Sequence, residues 1–248
     1  MKKYKLILSY DGTDYGGWQI QPHTPTIQET VQCAVTTLTG EQSAVVAAGR
    51  TDAGVHALGQ VAHCALHQGY RPDDLLQGLN SKLGESIRIR AVDEVPLSFH
   101  ARYSAVRKTY RYTVDTAAIQ LPAGRRYATH LTCPLDLNLL KQALARFVGT
   151  KDFTAFANEN QRGSAARDPV KTVYAIRCTR HETRFEVLFE GSGFLYKMVR
   201  NLMATALQVA QGKLSLEAID ALFREKNRAL VPAPAPAQGL CLVAVHYS

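Results

Sequence analysis

Residues 47–57 read Ala-Ala-Gly-Arg-Thr-Asp-Ala-Gly-Val-His-Ala. The apolar run Ala44–Ala48 ahead of the loop reads as a short buried strand. Gly49 breaks it, Asp52 falls at the loop tip, and Gly54 follows two residues later. Two glycines around one carboxylate let the backbone turn tightly and approach a ligand closely. Arg50 and Thr51 place a cation and a hydroxyl beside Asp52. A carboxylate held in this way can act as a nucleophile. The same residues also fit an ordinary turn whose Asp caps the chain locally.

Outward from this loop, elements alternate in a regular order. Upstream, Tyr4–Tyr10 reads as a strand and Asp11–Gln19 as a glycine-rich loop holding the one tryptophan, Trp18. Thr26-Ile27-Gln28-Glu29 has the capping-box form, so a helix is expected to Leu38, ending at Gly40. Downstream, Gly59–Leu66 reads as a strand, Asp73–Leu83 as a helix begun by Pro72, and Ile87–Val95 as a strand.

A similar plan follows. Phe99–Ala105 leads into a strand, Val106–Val114, in which side chains at i and i+2 share a face. Lys108, Tyr110 and Tyr112 then point one way and Arg107, Thr109 and Arg111 the other. Rings flanked by cations suit a splayed nucleotide, and a half-buried strand with two core tyrosines fits equally. A helix is expected over Leu137–Val148, then a polar loop, Asn158–Pro169, that contributes Arg162 and Arg167. A hairpin of Lys171–Thr179 and Arg184–Glu190 comes next, then a helix opening in Gly191–Asn201 and running to about Gln211. Arg200 is the one charge in the apolar stretch Met198–Ala210, so it should either pair with another group or snorkel from the helix edge. A short helix over Leu216–Phe223 capped by Ser215, an Ala/Pro-rich run at 231–237 and a final strand complete the chain. The order predicts an α+β protein of two ferredoxin-like (RRM-like) halves, residues 1–104 and 105–248, with mixed or antiparallel sheets.

The chain has 248 residues, 46% hydrophobic and 20% charged, as in an ordinary globular protein. A net charge of +8 and a pI near 9.3 point to an anionic partner, nucleic acid first. The five cysteines are scattered and form no Cys-x-x-Cys pair, which argues against a disulfide framework or a zinc ribbon. His63, Cys64 and His67 lie in or beside a strand that alternates faces, a poor metal arrangement. The apolar run Leu6-Ile7-Leu8 is too short for a signal peptide, no stretch approaches membrane-spanning length, and a cytoplasmic protein is expected.

Four stretches carry a family resemblance. Gly49–Ala57 resembles the active-site signature of the TruA family of tRNA pseudouridine synthases. Tyr10–Gln19 is similar to its first motif, Arg107–Tyr112 to its Arg-x-x-Tyr-x-Tyr strand, and Phe194–Asn201 to its Phe-Leu-x-x-Met-Val-Arg-Asn motif. The Ala/Pro-rich loop ending in Gly239-Leu240 is also similar, although the family's glycine near Leu230 or Val231 is absent here.

The resemblance implies isomerisation of uridine to pseudouridine at positions 38 to 40 of the tRNA anticodon stem-loop, by a homodimer, with no cofactor and no metal. It implies two halves joined around a central cleft. It implies Asp52 as nucleophile, Arg200 as its ion-pair partner and Tyr110 against the target uridine; Arg50 would displace the base or hold the RNA backbone. Two other classes fit parts of the chain. A non-catalytic RNA-binding protein would explain the charge but not Asp52 and Arg200 together. A metal-dependent nuclease built on Asp11, Asp14 and Asp52 needs convergent acids, and the surroundings of Asp52 are basic or neutral.

Overall fold

Alternation along Lys2–Tyr10 buries Tyr4, Leu6, Leu8 and Tyr10 on one face, which makes this segment a strand with a single core side. A computed structural model describes residues 1–158 and 168–248. Arg162 and Arg167 lie outside the described residues. The described residues are of the α+β class. Their elements are β1 (Lys2–Tyr10), α1 (Ile27–Thr39), β2 (Val46–Ala47), β3 (His56–Leu66), α2 (Pro72–Lys82), β4 (Ile87–Val95), β5 (Ala105–Asp115), β6 (Thr129–His130), α3 (Leu137–Ala145), β7 (Gly149–Asp152), β8 (Val170–His181), β9 (Arg184–Gly191), α4 (Met198–Ala210), α5 (Leu216–Glu225) and β10 (Leu240–Tyr247). Two compact units result, residues 1–106 with 241–248, and residues 107–240.

In the first unit the strand order is β4-β1-β3-β10, with β2 on β3. β1 runs antiparallel to both β3 and β4, and β10 pairs parallel to β3 through Cys241 opposite His56 and Leu242 opposite Ala57. That pairing puts the last eight residues in the first unit, far in sequence from its other strands. Helix α1 starts where Thr26 accepts the Glu29 amide and stops where Gly40 takes φ 73°, which costs a glycine little. It buries Ile27, Val31 and Val35, and α2 buries Leu75 and Leu79. Each such side chain contributes on the order of 2 kcal/mol of apolar burial. The expected strand at 44–48 shrinks to Val46–Ala47, and β3 begins earlier than expected, at His56.

In the second unit the order is β5-β9-β8-β7, all neighbours antiparallel, with the short β6 parallel to β5. Helix α4 is the core element, buried at eleven of its thirteen positions. Phe147, Phe153, Phe156 and Phe223 pack around one another with ring centroids 5.0 to 6.2 Å apart. Two expectations are corrected here. Helix α3 ends at Ala145 because Gly149 turns the chain into β7, whose Gly-Thr-Lys-Asp sequence carries no apolar alternation to announce it. Residues 191–197 are not helical; α4 opens only at Met198, after Lys197 takes the left-handed conformation at φ 59°.

Candidate active site

The loop between β2 and β3 is a tight turn in which the Val55 amide donates to the Asp52 carbonyl at 3.1 Å and Gly54 takes φ 77°. Asp52 sits half-buried at its tip and Arg50 is exposed. What holds the turn is buried and polar. The Tyr10 and Thr51 hydroxyls are 2.8 Å apart. Gln60, fully buried on β3, donates to Tyr10 Oη at 3.3 Å and to the Gly49 carbonyl at 2.9 Å. A ring of buried hydrogen bonds therefore grips the residues on both sides of Arg50, and its cost if broken makes it rigid.

The glycine-rich loop 11–19 braces the same turn from outside. The Trp18 amide donates to the Thr51 carbonyl at 3.0 Å, and the Gly12 amide to His56 Nδ1 at 3.1 Å. A β-carbon on Gly17 would lie 2.6 Å from the Thr51 carbonyl oxygen, and one on Gly12 2.1 Å from that of Val55. Both glycines are required because backbone packs on backbone. The loop also joins α1, since the Gln28 amide donates to the Trp18 carbonyl at 3.0 Å. Sequence reasoning named Asp52 and Arg50 but missed Tyr10, Gln60, Gly12 and Gly17 as supports. The one signal in the sequence was a polar Gln60 set within an apolar strand.

In the second unit Tyr110 lies on β5 opposite Phe189 of β9. Its ring is 8% exposed and meets Phe194 edge-on, centroids 5.4 Å apart at 88°. Gly191 permits this approach, since a β-carbon there would lie 3.0 Å from the Phe194 ring. Tyr112 is a core residue: its hydroxyl lies 2.6 Å from Thr129 Oγ1 and donates to the Pro236 carbonyl at 2.8 Å. On the opposite face of β5, Arg107 and Arg111 face Glu190 and Glu186 of β9 at 3.8 and 3.5 Å.

Arg200 stands in the first turn of α4, half-buried rather than enclosed. Its Nε donates to the Ala235 carbonyl at 2.7 Å, and the Ala235 amide donates back to the Arg200 carbonyl at 3.1 Å. The Ala/Pro-rich run is thus clipped to the helix start. Tyr110 and Arg200 belong to the second unit, Asp52 and Arg50 to the first.

Among the described residues no group of three or more His, Cys, Asp or Glu side chains is placed to hold a metal ion. Likewise among them, no helix is long and apolar enough to cross a membrane. His63 Nδ1 accepts the Ala101 amide at 3.1 Å, and burial pushes the imidazole down to about 4.

A family model described as tRNA pseudouridine synthase matches residues 6–104 and 143–248. The tRNA pseudouridine synthase A 1 of Protochlamydia amoebophila is 45% identical over 248 residues, covering 100% of this chain and 97% of the relative. The tRNA pseudouridine synthase A of Limosilactobacillus reuteri is 40% identical over 252 residues, covering 100% and 97%. That of Maridesulfovibrio salexigens is 39% identical over 249 residues, covering 100% and 91%. With a family match over both units and relatives aligned end to end, the chain belongs to the TruA family of tRNA pseudouridine synthases.

Proposed function

We infer that this enzyme isomerises uridine to pseudouridine in tRNA, that its targets are positions 38 to 40 of the anticodon stem-loop, and that Asp52 is the nucleophile. The reaction breaks the bond between uracil N1 and ribose C1′ and forms one between uracil C5 and C1′; C5 loses a proton and N1 gains one, so the product is an isomer of the substrate. It is redox-neutral and needs a nucleophile, a retained base and a uridine taken out of the stack.

One observation supports the Asp52 assignment above the others. The turn that presents its carboxylate is gripped by Tyr10, Thr51 and Gln60 and braced by a glycine-rich loop. A capping aspartate on an ordinary surface turn needs no such support, whereas a reacting group gains rate from a fixed geometry. In this reading Tyr110 stacks on the target base and Arg200 pairs with the carboxylate of Asp52, keeping it ionised. Arg50, exposed beside it, displaces the base or meets the RNA backbone. Two ferredoxin-like halves, a cytoplasmic setting and a homodimer bridged by tRNA complete the reading.

The experiment is to map pseudouridine by carbodiimide labelling and primer extension in unmodified tRNA incubated with the protein. Stops at positions 38 to 40 that vanish with Asp52→Asn, while tRNA affinity stays within about twofold, are expected. Wild-type turnover by Asp52→Asn removes the nucleophile assignment; stops elsewhere remove the position assignment.

A further inference from the structure

The turn between β4 and β5 holds an aromatic side chain out into solvent on an unusually well-tied backbone. Tyr103 is 77% exposed. A single exposed tyrosine needs no explanation, but its setting does. His100 Nδ1 accepts the amides of Arg102 and Tyr103 at 3.2 and 3.3 Å. The Ser104 amide donates to the His100 carbonyl at 2.9 Å, and the His100 amide to Ser104 Oγ at 3.1 Å. Between them Ala101 is fully buried, its amide on His63 Nδ1 and its carbonyl accepting Tyr247 Oη at 2.7 Å. The Tyr103 backbone is therefore fixed although its ring buries little.

The ring itself packs against a second ring at a tilt. Its centroid is 4.3 Å from that of His100, with the planes 35° apart. The Arg102 guanidinium carbon is 5.8 Å from the Tyr103 centroid, within cation–π range. His100 is held toward its neutral form by burial and by Lys3 and Arg102, and as an acceptor at Nδ1 it offers Tyr103 a neutral ring to pack against. The turn also adjoins the candidate site. Ala101 packs in one cluster with Ala48 and Val61, and Ala48 immediately precedes the Gly49–Ala57 loop.

We propose that Tyr103, backed by His100 and flanked by Arg102, is a stacking platform for an unpaired base of the tRNA substrate flanking the target uridine, with Arg102 meeting that nucleotide's phosphate. This rests on the tRNA reading above. An aromatic face with an adjacent cation is the chemistry that recognises an unstacked nucleotide without reading its sequence. The chain's net charge of +8 fits a polyanionic partner.

The test uses the full-length protein and an unmodified tRNA transcript, with equilibrium binding and steady-state kinetics in parallel. Tyr103→Ala is expected to weaken tRNA binding about tenfold, with the loss in kcat/KM carried by KM. Tyr103→Phe restores both, because stacking needs the ring and not the hydroxyl. Arg102→Ala lowers the magnitude of the slope of log Kd against log salt by about 0.7 to 0.9, one phosphate's share, while Tyr103→Ala leaves that slope in place. Should alanine lower the melting temperature, Tyr103→Leu, apolar but not planar, reads the same quantity. Wild-type affinity in Tyr103→Ala or Tyr103→Leu, or no recovery with Tyr103→Phe, overturns the platform. A wild-type protein that binds tRNA and makes no pseudouridine overturns the functional reading alone, because the binding measurements need no turnover.

Discussion

The hydroxyl of Tyr10 and the hydroxyl of Thr51 lie 2.8 Å apart, both buried, and Thr51 is one residue before the candidate nucleophile. Burial drives the Tyr10 phenol far above its ordinary titration range, so it keeps its proton at every working pH. Tyr10→Phe deletes this link and removes one acceptor from Gln60. Unfolding free energy should fall by about 1 to 3 kcal/mol, the cost of buried groups left unsatisfied. The single-turnover rate at saturating tRNA should fall about tenfold or more as the Asp52 loop loosens, with tRNA affinity within about twofold. Equal rates for the variant and the wild type would show that the ring of hydrogen bonds supports the fold and not the reaction.

Gly17 and Gly40 make an internal comparison. Both adopt positive φ, at 96° and 73°, but a β-carbon on Gly40 meets nothing within 4 Å while one on Gly17 meets the Thr51 and Asp52 backbone. Gly40→Ala should cost about 1 kcal/mol from backbone strain alone and leave pseudouridine formation unaffected. Gly17→Ala carries the same strain plus a backbone clash at the loop, so its loss should exceed about 2 kcal/mol and isomerisation should collapse. Thermal melts and turnover assays on the two proteins decide it; parity between them would mean that the loop shifts freely.

Arg200 is expected to serve through its charge and through its Nε donor to Ala235. Arg200→Lys keeps the charge but cannot reproduce a planar fork, and Arg200→Met loses both. Losing a charged hydrogen bond costs about 1.5 to 3 kcal/mol, so both variants should melt early and by similar amounts. If the charge also keeps Asp52 ionised, Arg200→Lys retains the wild-type acid limb of its pH–rate profile and Arg200→Met shifts that limb upward. Superimposable profiles for the two variants would end the ion-pair role.

Acid should weaken the first unit through His63. Its imidazole titrates at about 4 when folded, against 6.5 as the ordinary value, because burial disfavours the charged form. Between those values the unfolded chain binds the extra proton, so unfolding free energy rises with pH there. The stabilisation is complete above about pH 6.5 and is lost as the pH falls toward 4. His100, also lowered, acts in the same direction. Melting temperatures from pH 8 to 4 should be flat at first and then decline, and His63→Asn, which keeps an acceptor for the Ala101 amide, should lessen the decline. An unchanged slope in that variant would assign the acid sensitivity to other groups.

Helix α1 was fully legible from its residues, because Thr26, Glu29 and Gly40 act within a few residues of the backbone groups they satisfy. The alternation of β1 and the glycines around Asp52 were legible for the same local reason. The motif at 49–57 named the family and its chemistry, since that information lies in residue identity at short spacing. Three things needed the tertiary structure. β10 pairs with β3 across almost the whole chain, and alternation along a strand says nothing about which strand lies beside it. β7 is a strand because β8 supplies its hydrogen bonds, although its sequence has no strand pattern. The grip of Tyr10 and Gln60 on the Asp52 loop joins residues up to fifty positions apart, so only folding, which buries their polar atoms together and makes each the other's required partner, turns them into parts of the site.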